Sequence, residues 1–150
     1  MAPEPSDLTL PEGERRDLIR WAAECVRRLL TIFESAAPGD PRLSQALDGT
    51  EAFARGELGV RPMRHLAFGC HAAARDVDDA AASAVARACG QAAAIAHMGG
   101  HSREISRYTA KALGGDAAPE LVWQREHIPA RFEAYVYGDT NHVSLTRSLG

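Results

Sequence analysis

Residues 67–96 read AFGCHAAARDVDDAAASAVARACGQAAAIA, and this alanine-rich stretch decides the fold class. Alanine occupies 14 of its 30 positions. Alanine is the best helix former among the amino acids and a poor strand former. The stretch therefore predicts two helices, which meet near the acidic run 76–79 because carboxylates favour helix N-termini. The same composition argues against a β-sandwich or a β-barrel.

Alanine is abundant in the whole chain, with 28 among 150 residues. Apolar residues make up 45 % of the chain and charged residues 25 %, the balance of a folded protein of one domain. Small core side chains let helix backbones approach closely, and we expect such crossings at Gly69 and Gly90, which lie inside predicted helices. The prediction is an all-α, single-domain bundle of about five to six helices with close Ala/Gly helix packing.

Proline and glycine divide the chain into helical segments. The first helix is predicted from the capping-box pair Thr9 and Glu12 to the Pro-Gly-Asp-Pro breaker at 38–41. Gly99 and Gly100 interrupt the chain before a fifth helix, and Pro129 interrupts the last one. The predicted organisation is a flexible N-terminal arm at residues 1–8, a helical domain at residues 9–137 and a C-terminal tail at residues 138–150.

Charge and composition exclude several classes of protein. The 17 Lys and Arg residues and the 20 Asp and Glu residues are spread over both halves, with a net charge of -3. No basic face is expected from these totals, so we predict no nucleic-acid binding. The N-terminus lacks the features of a signal peptide, and no stretch approaches the roughly 20 apolar residues of a membrane span. We expect a cytoplasmic protein without a membrane partner. Because no CxxC motif is present, we expect its cysteines to be free and buried. These cysteines are Cys25, Cys70 and Cys89.

The histidines near the end of the alanine-rich stretch are the main candidates for chemistry. His97 and His101 are four residues apart, with Glu104 and Tyr108 at helical spacing beyond them, and His71 on the preceding helix could join them. Three interpretations stay open: hydrogen bonds to buried groups at the helix junction, a zinc or iron site, or a polar pocket for ligand binding or proton transfer. Because the pattern specifies no fourth ligand, we assign no metal and no cofactor.

A second pattern aligns Arg64, Phe68, His71 and Arg75 along one helix. One interpretation is a solvated face whose arginines pair with Asp17, Glu24 or Asp76. The alternative is a pocket for an anion or a carboxylate, which two guanidinium groups can bind. Another candidate binding residue is Trp123, either as a core side chain or as a hot spot for a partner protein.

Several segments, taken together and in order, resemble a known family. They are residues 21–25 (WAAEC), 33–34 (FE), 38–42 (PGDPR), 54–56 (ARG), 71–75 (HAAAR), Ala96-His97 with His101 and Tyr108, and Trp123-Gln124 ahead of Ile128-Pro129. Their order is similar to that of the immunity-protein-five-like group, which is predicted to accompany bacterial polymorphic toxins. The resemblance implies an all-α cytoplasmic domain that neutralises a toxin by binding it, and His97 with His101 is the pair that it carries over.

Two functions follow as expectations. The first is a non-enzymatic binding protein whose partner is a toxin. The second is a small helical enzyme or small-molecule-binding protein with an interhelical pocket lined by His71, His97, His101 and arginines. No nucleophile motif such as GxSxG is present, so no catalytic residue is assigned. A homodimer is a further expectation, because alanine-rich helices can need a second copy to complete burial.

Overall fold

An alanine-rich helix at residues 80–94 lies at the centre of the protein, with the other helices around it. The structure is a computed structural model that describes residues 1–138, and this range forms eight α-helices, two 3₁₀ helices and no β-strand. The α-helices are α1 Glu12–Arg27, α2 Leu30–Ala36, α3 Arg42–Ala54, α4 Val60–Asp76, α5 Ala80–Ala94, α6 Ile105–Leu113, α7 Ala117–His127 and α8 Ala130–Tyr137. The 3₁₀ helices are Gly99–Glu104 and Gly114–Asp116. The predicted all-α class is confirmed.

Helix α5 is buried on nearly all sides. It packs against α1, α2, α3, α4 and α6, and ten of its 15 residues are buried. A helix that is apolar over most of its surface belongs in the interior, and alanine lets five neighbours approach its backbone. The Asp79 side chain caps its N-terminus by accepting from the Ala82 N–H at 2.8 Å. The bulk of the core comes from the surrounding helices, chiefly from Leu18, Ile19, Phe33, Leu43, Leu47, Phe53 and Phe132.

The first predicted helix is divided into α1 and α2. Helix α1 ends at Arg27, and the Leu29 N–H donates to the Val26 carbonyl at 2.9 Å, a tighter pattern than that of an α-helix. The chain turns there and directs α2 onto α5, with Phe33 fully buried. This division and the separate helix after Pro129 raise the number of α-helices above the predicted five to six.

The N-terminal segment lies along the first 3₁₀ helix. The carbonyls of Leu8 and Thr9 accept hydrogen bonds from the N–H groups of Gly100 and Gly99 at 2.8 and 2.9 Å. Leu10 is buried with a φ of 63° and packs directly on Gly99. The capping-box prediction is wrong, because no side chain caps α1. The domain boundaries stay predictions, and the expected tail lies outside the described residues except for Gly138.

The two glycines inside the alanine-rich helices have different surroundings. A Cβ on Gly90 would lie 2.6 Å from Nε2 of His71, so Gly90 does mark a close approach between α4 and α5. A Cβ on Gly69 would have nothing within 4 Å, so the predicted crossing at Gly69 is wrong. Gly69 instead opens a cleft on the outside of α4. Among residues 1–138, no helix is both long and apolar enough to cross a bilayer.

The three cysteines are free and buried, as predicted. The structure also brings two of them together, with the Sγ atoms of Cys70 and Cys89 3.4 Å apart across the α4–α5 crossing. The hydrogen bond with Cys70 and burial raise the pKa of the Cys89 thiol. Burial raises the pKa of the Cys25 thiol in the same direction. Both of these thiols are therefore held protonated and inaccessible.

Candidate functional site

His71 fills the space above Gly90 where α4 crosses α5. Its Nδ1 lies 3.0 Å from a guanidinium nitrogen of Arg87. Because the guanidinium can only donate, Nδ1 accepts and the ring carries its proton on Nε2. Burial and the positive charges of Arg87, Arg75 and His101 lower the pKa of His71. The ring is thus a neutral spacer between the two helices.

His97 and His101 lie beside this contact, in the turn after α5 and in the first 3₁₀ helix. Their rings meet edge to face, with centroids 5.1 Å apart. Nδ1 of His101 donates to the side-chain oxygen of Gln91 at 2.7 Å. Since Gln91 directly follows Gly90, His71 and His101 reach α5 at the same level. Nδ1 of His97 is buried and has no hydrogen-bond partner among the described residues.

The surroundings of both rings disfavour the imidazolium form. Burial and the positive charges of His101, Arg64 and Arg15 lower the pKa of His97. Burial also lowers the pKa of His101, and the negative charge of Glu104 opposes this only in part. The three histidines therefore form a cluster of neutral imidazoles, which suits packing and hydrogen bonding.

Glu104, at the end of the first 3₁₀ helix, and Tyr108, on α6, are the other members of the predicted histidine pattern, and both contact Arg107. The Glu104 carboxylate pairs with Arg107 at 2.9 Å, and the Tyr108 hydroxyl accepts from Arg107 at 3.1 Å. Because α5 ends before His97 and α6 begins after Glu104, residues 97–108 do not form the single helical face that the spacing suggested. Within residues 1–138, no three His, Cys, Asp or Glu side chains are placed to hold a metal ion.

Helix α5 carries a polar stripe that sequence analysis missed. Ser83, Arg87 and Gln91 are four residues apart, and each binds a group outside α5. The Ser83 hydroxyl donates to the Ala74 carbonyl at 2.8 Å, and the other two bind His71 and His101 as described. The sequence could have predicted this stripe, because Ser83, Arg87 and Gln91 are the only polar side chains between residues 80 and 94 and their spacing is helical.

The members of the predicted pattern on α4 differ in their exposure. His71 turns inward to α5, whereas Arg64, Phe68 and Arg75 lie on the exposed outer side, with Phe68 63 % exposed. Arg64 and Arg75 form no ion pair or hydrogen bond with any residue in the range 1–138.

The ion pairs suggested for this face are absent among the described residues. The Asp17 carboxylate binds Arg131, and Asp76 binds Arg42 at 3.0 Å. The solvated-face interpretation is therefore correct about exposure and wrong about these partners.

Trp123 is partly buried and is covered by neighbouring side chains. The Arg28 guanidinium lies 4.0 Å from the ring centroid, and the His127 ring stacks on Trp123 at 4.0 Å. Arg28 is held there by two hydrogen bonds to Glu120, at 2.6 and 3.1 Å. Its role in partner binding stays a prediction.

Gln124, which follows Trp123, is a structural residue that sequence analysis named only as part of the family resemblance. It is fully buried, and its carbonyl accepts from Nε1 of Trp21 at 2.8 Å. Its side-chain amide donates to the Thr109 hydroxyl, also at 2.8 Å. These bonds join α1, α6 and α7. A glutamine within a partly exposed helix gave no sequence signal for this role.

Five clefts with volumes of about 300 to 570 Å³ open on the described surface. His71, His97 and His101 line none of these five. The cleft of about 460 Å³ lies between α3 and α4 and includes Phe68 and Arg75 in its wall.

Comparison with known proteins adds one finding to this geometry. No curated protein and no solved structure matches the chain. The family described as "Imm-5 like putative immunity protein" matches residues 8–131. This range extends from the N-terminal segment into α8 and contains the histidine cluster and the outer side of α4. The chain therefore belongs to the Imm-5 like immunity protein family, as the order of its sequence segments suggested.

Proposed function

We propose that this protein neutralises a partner toxin by binding it directly, without catalysis. The observation that carries the proposal is the family match over residues 8–131, because it spans nearly the whole described helical domain. A binding protein of this kind needs a stable scaffold and an exposed surface complementary to its partner. The central and largely buried α5 provides such a scaffold.

The use of the histidines also supports a binding role. Two of the three are engaged by α5 side chains, His71 by Arg87 and His101 by Gln91. The exposed aromatic side chain Phe68 lies on the outer side of α4 instead, with 63 % of its surface exposed.

A second candidate function rests on His97. Its buried, unpaired Nδ1 could accept a hydrogen bond from a small ligand, and a buried polar atom without a partner costs about 1–3 kcal/mol. In this alternative the neutral histidine cluster would bind a small polar molecule or transfer a proton. The absence of the three histidines from the five clefts makes it the weaker candidate.

Coexpression with candidate toxins encoded by the genes that flank this one tests the first proposal. We expect the protein to restore growth of cells that produce the toxin and to elute with it as one complex in size-exclusion chromatography. Light scattering on the same column tests the predicted homodimer. Cells that are not protected, together with no complex at micromolar concentrations, would contradict the proposal.

Histidine variants separate the two candidate functions. If the cluster is structural, His97→Ala and His101→Ala leave toxin binding unchanged wherever the variants fold. Binding that is lost at an unchanged Tm would contradict a purely structural role. Metal analysis of the purified protein is a second check, since stoichiometric zinc or iron would favour the histidine site.

A further inference from the structure

Helix α4 carries three arginines that have no ion-pair or hydrogen-bond partner among residues 1–138. Of the 15 arginines among residues 1–138, 12 form an ion pair or a hydrogen bond with another described residue. The other three, Arg61, Arg64 and Arg75, all lie exposed on α4. Together with His65 and Phe68 they form a surface that we name the α4 outer face. At 100° per residue, these five side chains fall within one side of the helix.

The α4 outer face is positively charged although the protein is negative overall. From Val60 to Arg75 the helix contains no Asp or Glu, and its one carboxylate, Asp76, is bound by Arg42. The cleft beside this face is lined by two arginines and a histidine and by no carboxylate. Total charge predicted no basic face, and this expectation is wrong because folding brings the unpaired arginines to one side of a single helix.

An exposed aromatic side chain lies at the middle of the α4 outer face. Phe68 is the one aromatic among residues 1–138 that is mainly exposed. Leaving a phenylalanine in water forgoes the stabilisation that burial gives. Gly69 follows it and opens the adjacent cleft of about 460 Å³, with no atom within 4 Å of the position of a Cβ. An apolar ring beside an open cleft, with arginines around it, has the composition of a protein-binding hot spot.

We propose that the α4 outer face is the surface that docks the toxin, and that it receives an acidic segment with an apolar side chain. Arg61, Arg64 and Arg75 would pair with carboxylates of the segment, and its apolar side chain would enter the cleft beside Phe68. This inference rests on the proposed function and names the chemistry of the partner. Electrostatic complementarity of this kind speeds association and fixes the orientation of the partners.

A protein partner fits this surface better than a nucleic acid does. Three arginines can neutralise only a few phosphates, and the chain as a whole carries a net charge of -3. Two arginines of the face flank a phenylalanine within one helix, an arrangement small enough for a peptide segment. Retention of the protein on single-stranded or double-stranded DNA at physiological salt, abolished by Arg64→Glu, would overturn the protein assignment.

Binding to the coexpressed toxin, measured by calorimetry, tests the docking face. Phe68→Ala and the double variant Arg64→Glu/Arg75→Glu are each expected to weaken the Kd by about tenfold or more, which is about 1.4 kcal/mol. The matched controls change the same chemistry elsewhere: Val122→Ala removes another exposed apolar side chain, and Lys111→Glu reverses an exposed charge on α6. Each control is expected to change the Kd less than threefold.

Gly69→Leu provides a test that does not depend on loss of stability. Its side chain would fill the cleft without meeting an atom at the Cβ position, and it replaces a helical glycine. We expect an equal or higher Tm and a Kd weakened by at least tenfold. Amide hydrogen exchange should also show protection of residues 60–76 in the complex and none of residues 117–127.

The outcomes distinguish the docking face from the function. A wild-type protein that binds no toxin overturns both proposals. A wild-type protein that binds while the α4 variants bind equally well overturns only the docking face and leaves the immunity function in place. Weakened binding by the α4 variants alone, with the controls unchanged, supports both.

Discussion

Replacing Gly90 with alanine tests the central packing contact of the fold, the His71 ring above α5. An alanine Cβ would lie 2.6, 2.7 and 3.0 Å from Nε2, Cε1 and Cδ2 of the ring, distances at which the ring must move. It cannot move freely, because its Nδ1 is bonded to Arg87 at 3.0 Å. The substitution therefore sets the helix propensity of alanine against a steric conflict.

The expected magnitude follows from these opposing effects. Alanine in place of a helical glycine stabilises by about 1 kcal/mol. Overpacking a well-packed site costs about 1–3 kcal/mol. Weakening the His71–Arg87 hydrogen bond costs about 1 kcal/mol more. We expect Gly90→Ala to lower the free energy of unfolding by about 1–3 kcal/mol.

A double-mutant cycle isolates this conflict. In a His71→Ala background the ring is absent, so Gly90→Ala should become stabilising by about 0.5–1 kcal/mol. The sign reversal corresponds to a coupling energy of at least about 1.5 kcal/mol between the two residues. Gly69→Ala is the matched control, because its Cβ meets nothing, and it should stabilise the wild-type protein by about 0.5–1 kcal/mol.

Urea unfolding followed by circular dichroism gives the required free energies for all four members of the cycle and for the control. The reasoning is refuted if Gly90→Ala stabilises the wild-type protein as Gly69→Ala does, or if its effect is the same with and without the His71 ring. Either result would show that the imidazole does not hold the α4–α5 crossing.

Three further predictions follow from burial, hydrogen bonding and charge. The pKa values of His71, His97 and His101 in the folded protein lie below the ordinary 6.5, so the unfolded chain binds more protons than the folded protein at acidic pH. The free energy of unfolding should therefore fall as the pH decreases below about 6.5, by at most about 1.4 kcal/mol per pH unit for each histidine. Urea unfolding between pH 8 and pH 5 measures this slope, and a His101→Gln variant with an unchanged slope would contradict the assignment. The three buried cysteines should not react with a thiol reagent in the native protein and should all react in guanidinium; rapid native labelling would contradict their burial. Trp21→Phe removes the bond to the Gln124 carbonyl and should destabilise by about 1–3 kcal/mol, whereas an unchanged urea midpoint would show that this bond is not needed.

Residue spacing predicted only part of the histidine cluster. The spacing indicated His97 and His101 as candidates, with His71 able to join them only if α4 packs against α5. The structure does bring them together, but through Arg87 and Gln91 of α5, which are polar positions on a helix that otherwise appeared to be purely structural. Glu104 and Tyr108 were assigned to the same face, and the break after α5 separates them from it.

The sequence by itself determined the helical class, the burial of the cysteines and the family. These properties depend on local propensity and on the order of short segments, which a linear chain contains directly. Tertiary structure alone decided which glycine marks a crossing, where the first helix divides and which arginines stay unpaired. Those features depend on distances between residues remote in sequence, so the basic outer face of α4 is invisible in a charge total of -3.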